Sequence, residues 1–261
     1  MAKWLSKYGL GVGWAVLLAL APPIAEARPL AAIKAAGTLR VGLTGDYAPY
    51  SLRGADGKIA GADVTMAQDL AKSLGVSLEI VPTAWKSLQG DLLADRFDIA
   101  MGGVSVTADR AAVGDFSMTV MGDGKRPIVR CADKERFNAV KTIDDPSVRV
   151  IVNPGGTNER FAKANLSKAH VEVYADNRTI FDEIVAGRAD VMVTDGAEVD
   201  FQARRHPGVL CPATVADSFD HFDKAYWMTR DPALKSAVDA WLTKGLAAGI
   251  YQKALAAAAG E

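Results

Sequence analysis

The sequence predicts an α/β protein of two similar lobes. Short β-rich runs alternate with helix-patterned segments, the alternation that places helices over a mostly parallel sheet. One stretch, Leu93-Ala94-Asp95-Arg96-Phe97-Asp98-Ile99, is echoed by Val185-Ala186-Gly187-Arg188-Ala189-Asp190-Val191. Each copy carries a helix end, a turn with Arg, then Asp and a buried strand, so two related lobes are the economical explanation. Chance recurrence of a common α-turn-β motif is the alternative. The length of 261 residues admits one large or two medium domains with a real core.

The first segment reads as an address. Lys3 and Lys7 precede the apolar stretch 10–21, and Ala25-Glu26-Ala27 supplies the small-x-small pattern of a signal-peptidase site. The apolar stretch is short of the roughly 20 residues that span a bilayer, and Pro22-Pro23 break it. A signal peptide over 1–27, cleaved after Ala27, is expected, with no membrane insertion afterwards and a periplasmic location in a cell with two membranes.

In the remainder, 38–43 is a strand candidate followed by the turn-rich Thr44-Gly45-Asp46-Tyr47-Ala48-Pro49-Tyr50. Apolar residues at Val64, Ala67, Leu70, Ala71 and Leu74 mark one helix face over 64–74, and Gly75 stops it. Residues 76–81 alternate as a strand, 88–93 lie in a helix, and 97–101 form a strand entering Gly102-Gly103. The second half repeats the pattern, with strands at 148–152, 171–174 and 191–194 and helices at 160–166 and 179–186. A strand at 224–228 leads to Asp231-Pro232, an N-cap and first-turn proline. A stripe from Leu234 through Val238, Trp241 and Leu242 to Leu246 then continues as a helix pair, for which a return to the first lobe is one option.

Charge excludes further classes. With 30 Lys+Arg against 31 Asp+Glu and a net charge of -1, there is no basic face for nucleic acid. Apolar content of 49% excludes low-complexity disorder. In an oxidising compartment, Cys131 and Cys211 favour a structural disulfide over a metal site or catalytic thiol. His170, His206 and His221 show no metal-ligand spacing, and neither metal nor cofactor is called for.

Several motifs together resemble the bacterial extracellular solute-binding proteins of the amino-acid-binding type. Leu39-Arg40-Val41-Gly42 with Asp46-Tyr47-Ala48-Pro49-Tyr50 is similar to that family's opening strand and ligand loop. Phe97-Asp98-Ile99 entering Gly103-Val104-Ser105-Val106-Thr107 and Arg110 is similar to its carboxylate-binding segment. The resemblance covers residues 30–255 and implies a two-lobed periplasmic-binding-protein-like fold of type II, with two hinge strands and a ligand cleft between lobes. The implied division is 28–126 with 223–261 for lobe 1 and 127–222 for lobe 2.

Within that family the closer likeness is to the periplasmic cyclohexadienyl dehydratases. It is carried by Thr44-Gly45-Asp46-Tyr47, Pro82-Thr83-Ala84-Trp85, Asp123-Gly124-Lys125, the run Ile151 through Asn153-Pro154-Gly155-Gly156-Thr157 to Glu159, and Thr194-Asp195-Gly196-Ala197-Glu198. The departures are Gly102, where the family often has Ser, and Gly196-Ala197, where bulkier apolar residues are usual. The resemblance implies loss of water and carbon dioxide from prephenate or arogenate, reactions of phenylalanine biosynthesis, giving phenylpyruvate or phenylalanine.

Such a dicarboxylate needs cations and N–H donors. Arg110 suits a bidentate carboxylate and Lys125 supplies a second charge. Gly103, Ser105 and the turn at Gly156 and Thr157 offer donors, the last beside a helix N-terminus, and Asn153 can donate too. Trp85 would wall the ring beside Tyr47, and Asp46 or Asp195 could receive an arogenate amino group. Glu198 is the candidate general acid, its pKa expected to rise in a closed cleft.

Each residue also has a structural alternative. Glu198 could serve the helix dipole, Arg110 a surface pair, Lys125 a solvated hinge, Trp85 the core, Asp195 a helix cap and Asn153 a turn. A noncatalytic amino-acid receptor for an importer, on the same scaffold, is the second functional reading. A homo-oligomer is left open.

Overall fold

The computed structural model describes Met1 and residues 28–260; the leader expected over 1–27 otherwise lies outside the described residues. In chain order the first part runs α1 (Leu30–Ala36), β1 (Thr38–Leu43), β2 (Asp46–Tyr47), β3 (Ser51–Arg53), β4 (Ile59–Ala60), α2 (Ala62–Leu74), β5 (Ser77–Pro82), α3 (Leu88–Leu93), β6 (Ile99–Ala100), α4 (Ala108–Val113), β7 (Asp115–Phe116) and β8 (Met121–Asp123). Next come β9 (Lys125–Arg130), α5 (Val140–Ile143), β10 (Arg149–Val152), α6 (Thr157–Asn165), β11 (His170–Val173), α7 (Ile180–Val185), β12 (Val191–Asp195), α8 (Gly196–Arg205) and β13 (Leu210–Pro212). The chain ends with β14 (Phe222–Lys224), β15 (Trp227–Met228), α9 (Pro232–Ala247) and α10 (Ile250–Ala259).

Two five-stranded sheets result, ordered β5-β1-β6-β15-β7 and β11-β10-β12-β9-β13. In each, the first three strands are parallel, as the alternating pattern predicts, and the fourth runs antiparallel to both of its neighbours. The antiparallel neighbour is in each sheet the strand entered from the crossing, β15 in one and β9 in the other, which local periodicity does not reveal. Between the sheets β8 and β14 pair as an antiparallel ribbon, with Asp123 opposite Phe222 and Met121 opposite Lys224.

The expected single strand over 224–228 is therefore two. Lys224 ends the ribbon, and Trp227–Met228 join the first sheet, with the Ala225 N–H donating to the Val104 carbonyl between them. The helix expected from Arg160 starts three residues earlier, at Thr157, so that Gly156 is its N-cap. The C-terminal helix pair does return to the first sheet. Leu234, Val238, Trp241, Leu242, Tyr251 and Ala254 share one core with Leu39, Val41 and Leu70.

The sequence echo is a repeated construction. Asp98, just before β6, accepts from the Arg40 backbone N–H at 2.7 Å and from its guanidinium at 2.8 Å. Asp190, just before β12, does the same with Arg149, at 2.9 and 2.6 Å. Arg96 pairs with Asp91, and Arg188 with Glu183, each five residues upstream. The left-handed turn falls on Asp95 (φ 53°) in one copy and Gly187 (φ 71°) in the other. Glycine takes that conformation freely; Asp95 offsets its strain by accepting from Arg40 at 2.7 Å.

Cys131 and Cys211 form the disulfide, with Cα atoms 4.7 Å apart and a separation of 80 positions in sequence. It ties the end of β9 to β13, and a loop of that length contributes about 4 kcal/mol in the chain-entropy account.

Candidate functional site

The lobes meet over a small, nearly closed cavity lined by Tyr47, Trp85, Gly103, Ser105 and Arg110 from one side and Asn153, Gly156, Thr157 and Asp195 from the other, with Asn158 and Asn177 completing it. The closure is tight. At Gly155, whose φ is +79°, an added Cβ would lie 2.5 Å from the Lys86 Cα. Across the gap Asn177 Nδ2 donates to the Asp46 carbonyl at 2.9 Å, and Arg160 meets Asp109 at 2.6 Å. The last pair is half exposed, so its contribution is small.

Asp195 is the centre of the buried charge. It ends β12, is 4% exposed, and its carboxylate accepts from Lys125 Nζ, from Tyr47 OH and, at 2.6 Å, from Lys224 Nζ. Burial alone would raise its pKa, but the two ammonium groups hold it well below the usual carboxylate range. Asp195, one of the two candidate acceptors for a substrate ammonium, thus already meets two ammonium groups and a hydroxyl of the chain itself. Lys125 is no solvated hinge residue. It is 1% exposed and also contacts Thr157 Oγ1 at 2.8 Å and Asn158 Oδ1.

Removing this carboxylate should be strongly destabilising. Asp195→Ala strands two buried ammonium groups, and a broken buried pair typically costs 3–5 kcal/mol. The loss should appear in urea unfolding at pH 7. Because the folded pKa is depressed, this stabilisation is present above the ordinary carboxylate value of about 4. It fades as pH falls below that, so wild type and variant should converge in acid.

Glu198 is 1% exposed and sits in the first turn of α8. A carboxylate serving only the helix dipole would be solvated and acidic. Here burial, with Asp195 and Asp46 adding like charge, pushes the carboxyl up to about 8. The Thr194 hydroxyl donates to Oε2 at 2.5 Å, and Asn158 Nδ2 donates to Thr194 Oγ1 and to Asn153 Oδ1, both at 2.9 Å. A hydrogen-bond chain thus runs from Lys125 through Asn158 and Thr194 to Glu198.

Arg110, at 4% exposure, has no carboxylate partner among the described residues. Its guanidinium donates to the Ser105 carbonyl at 2.8 Å and lies 5.9 Å from the Trp227 ring centre. Burial pushes its pKa down to about 10, which leaves it charged at neutral pH. A buried, protonated guanidinium with donors to spare has the chemistry to hold a carboxylate.

Trp85 lines the cavity edge-on to Tyr47, with ring centres 5.5 Å apart, and its Nε1–H donates to Asp46 at 3.0 Å. Burial raises the Asp46 pKa. Gly103 lines the cleft, but its N–H is turned away. Gly102 and Gly103, at φ 94° and 74°, aim both N–H groups at Asp63, each at 2.8 Å. Gly103 offers no N–H to a ligand, contrary to expectation. The same geometry accounts for Gly102, since a serine there would be strained by the left-handed backbone.

At Gly196 an added Cβ would fall 2.9 Å from Asp123 Oδ1. Asp123 accepts there from the Gly124 N–H at 2.8 Å and from the Ala197 N–H. This glycine gives a hinge-ribbon carboxylate access to the start of the helix that carries Glu198.

Sequence reasoning missed Lys224, Asn158, Asn177 and Thr194. A lysine heading the apolar run Ala225-Tyr226-Trp227-Met228 was the available signal for Lys224. Asn158, next to Thr157 in the same turn, was equally within reach.

Comparison with known proteins follows the same lines. A family model described as bacterial extracellular solute-binding proteins, family 3, matches residues 39–259. A cyclohexadienyl dehydratase from Pseudomonas aeruginosa is 50% identical over 226 residues, 87% of this chain and 84% of that protein. The crystal structure of an ancestral amino-acid-binding protein, described as a precursor of cyclohexadienyl dehydratase, superposes with a TM-score of 0.77 at 35% identity, covering 86% of this chain and 96% of the other. That of an ancestral cyclohexadienyl dehydratase gives 0.56 at 46% identity, covering 90% and 98%. With its paired sheets, interlobe cleft and these relatives, the chain belongs to the bacterial extracellular solute-binding proteins, family 3.

Proposed function

We propose that this chain is a periplasmic cyclohexadienyl dehydratase, a carbon-oxygen lyase acting on prephenate, on arogenate or on both. It would be exported by a signal peptide cleaved after Ala27 and built as lobe 1 (28–126 and 223–261) and lobe 2 (127–222). The observation that carries the reading is a buried carboxylic acid, Glu198, pushed toward its neutral form and joined through Thr194 to Asn158 in the wall of the cavity that Arg110 also lines. A receptor that only holds an amino acid has no use for a proton donor.

In this reading Arg110 grips one substrate carboxylate, while the side-chain N–H of Asn153 and the N-terminus of α6 at Gly156 and Thr157 face the other. Trp85 and Tyr47 flank the ring. Glu198 gives its proton to the ring hydroxyl, which leaves as water. The ring carboxylate departs as carbon dioxide, and its bonding electrons complete the aromatic ring. The Glu198 carboxylate then regains a proton from solvent. Thr194 holds one oxygen in place, leaving Oε1 to carry the proton. Asp46 is the acceptor available for an arogenate ammonium.

The likeness to an ancestral amino-acid-binding protein favours the second reading, a noncatalytic receptor. Incubating the purified protein with prephenate and following phenylpyruvate by ultraviolet absorbance separates the two. Turnover supports the dehydratase. Absence of turnover, together with a rise in Tm on adding a simple amino acid, supports the receptor.

A further inference from the structure

Asn177 carries a buried oxygen to which the proposed chemistry gives no role. It lies in the turn before α7, is 4% exposed, and lines the interlobe cavity with Tyr47 and Trp85. Its Nδ2 donates across the lobes to the Asp46 carbonyl at 2.9 Å, while its buried Oδ1 has no hydrogen-bond partner among the described residues. A carbonyl can only accept, so the bridge to Asp46 fixes the amide and leaves the acceptor as the atom for a ligand. A buried amide oxygen without a donor is costly, and an incoming N–H removes that cost. The turn itself does not depend on this side chain: the Thr179 N–H donates to the Asp176 carbonyl at 3.1 Å, and the Arg178 N–H to Asp176 Oδ1 at 3.0 Å.

Charge decides which donor fits. The residue that Asn177 bridges to, Asp46, supplies a carboxylate, which accepts from Trp85 Nε1. Asp195, by contrast, already meets the ammonium groups of Lys125 and Lys224. An ammonium brings three donors and no acceptor, and it gains the charge of Asp46 as well. A keto oxygen brings only lone pairs and would face Oδ1 acceptor to acceptor. We propose that Asn177 is a specificity residue, its Oδ1 accepting from the ammonium of an α-amino acid ligand beside Asp46. In the dehydratase reading, on which the choice of substrate rests, this favours arogenate over prephenate, which has a carbonyl where arogenate has the ammonium. The ring hydroxyl common to both is left to Glu198.

The test is calorimetry on the purified protein with L-phenylalanine and 3-phenylpropanoate, which differ only in the ammonium group. Wild type should bind L-phenylalanine at least about tenfold more tightly, the worth of a hydrogen bond to a charged group. Asn177→Leu, similar in size and without the acceptor, should weaken L-phenylalanine by about tenfold and leave 3-phenylpropanoate within about threefold. Asn177→Ala should give the same result, so either variant decides if the other fails to fold. Equal affinities in wild type, or no binding of L-phenylalanine, overturn the proposal. So does a variant that keeps the wild-type preference, even with both ligands weakened alike, because Asn177 would then be only a bridge between the lobes. The binding measurement needs no turnover. A protein that behaves as expected here yet leaves prephenate and arogenate unchanged refutes the dehydratase reading and supports the role of Asn177.

Discussion

Glu198→Gln should abolish most prephenate turnover, lowering kcat by about 10²- to 10⁴-fold, the usual worth of a positioned general acid. KM should change little, because the amide keeps the shape of the side chain and its bond from Thr194. The same variant should be more stable than wild type at neutral and alkaline pH. Burial raises the carboxyl from 4.5 to about 8, so between those values the folded protein holds a proton that the unfolded chain has released. Stability therefore falls as pH rises through that window and levels off above it. Glutamine does not titrate, so its Tm advantage should open above about pH 4.5 and stop growing near 8. Gaining stability while losing rate is the pattern of a functional group kept at a structural cost. A Glu198→Gln protein that is folded and turns over within threefold of wild type would remove Glu198 from the chemistry.

Arg110→Met should raise KM for prephenate by about 100-fold, since losing one partner of a buried charged pair typically costs 2–5 kcal/mol of binding. Arg110→Lys should fall in between, as a point charge cannot reproduce a bidentate grip. Without substrate the guanidinium is a buried cation supported by one carbonyl and an aromatic face. The methionine variant should therefore keep or raise Tm. Steady-state kinetics beside thermal unfolding measures both, and an unchanged KM with a falling Tm would make Arg110 a structural residue.

Much of this was legible in the sequence where local rules govern. The strand at β1, the helix at α3 and the stop at Gly75 follow from periodicity and a left-handed C-cap. The repeated Asp–Arg clasp was visible as a string because both partners sit at fixed positions in an α-turn-β unit. The motifs also singled out Arg110 and Asp195, which line one cavity, and Glu198, which reaches its wall through Thr194 and Asn158. What stayed hidden depends on contacts distant in sequence. Lys224 meets Asp195 29 positions away and Tyr47 177 away, so it reads locally as the polar edge of a strand. The Gly103 N–H was lost to Asp63, 40 residues upstream, a pairing no window contains. The antiparallel partners β9 and β15 follow from how the chain crosses between lobes, which periodicity does not encode.

The most direct test of Glu198 as a neutral proton donor is the pH dependence of kcat/KM with prephenate, which reports the free enzyme, for wild type and Glu198→Gln. The protonated acid is the working form, so wild-type kcat/KM should be level on the neutral side and fall about tenfold per pH unit above about 8. The residual kcat/KM of Glu198→Gln should lack that limb. A wild-type kcat/KM that holds level well past pH 8, or a glutamine variant that keeps the same alkaline fall, would contradict the account.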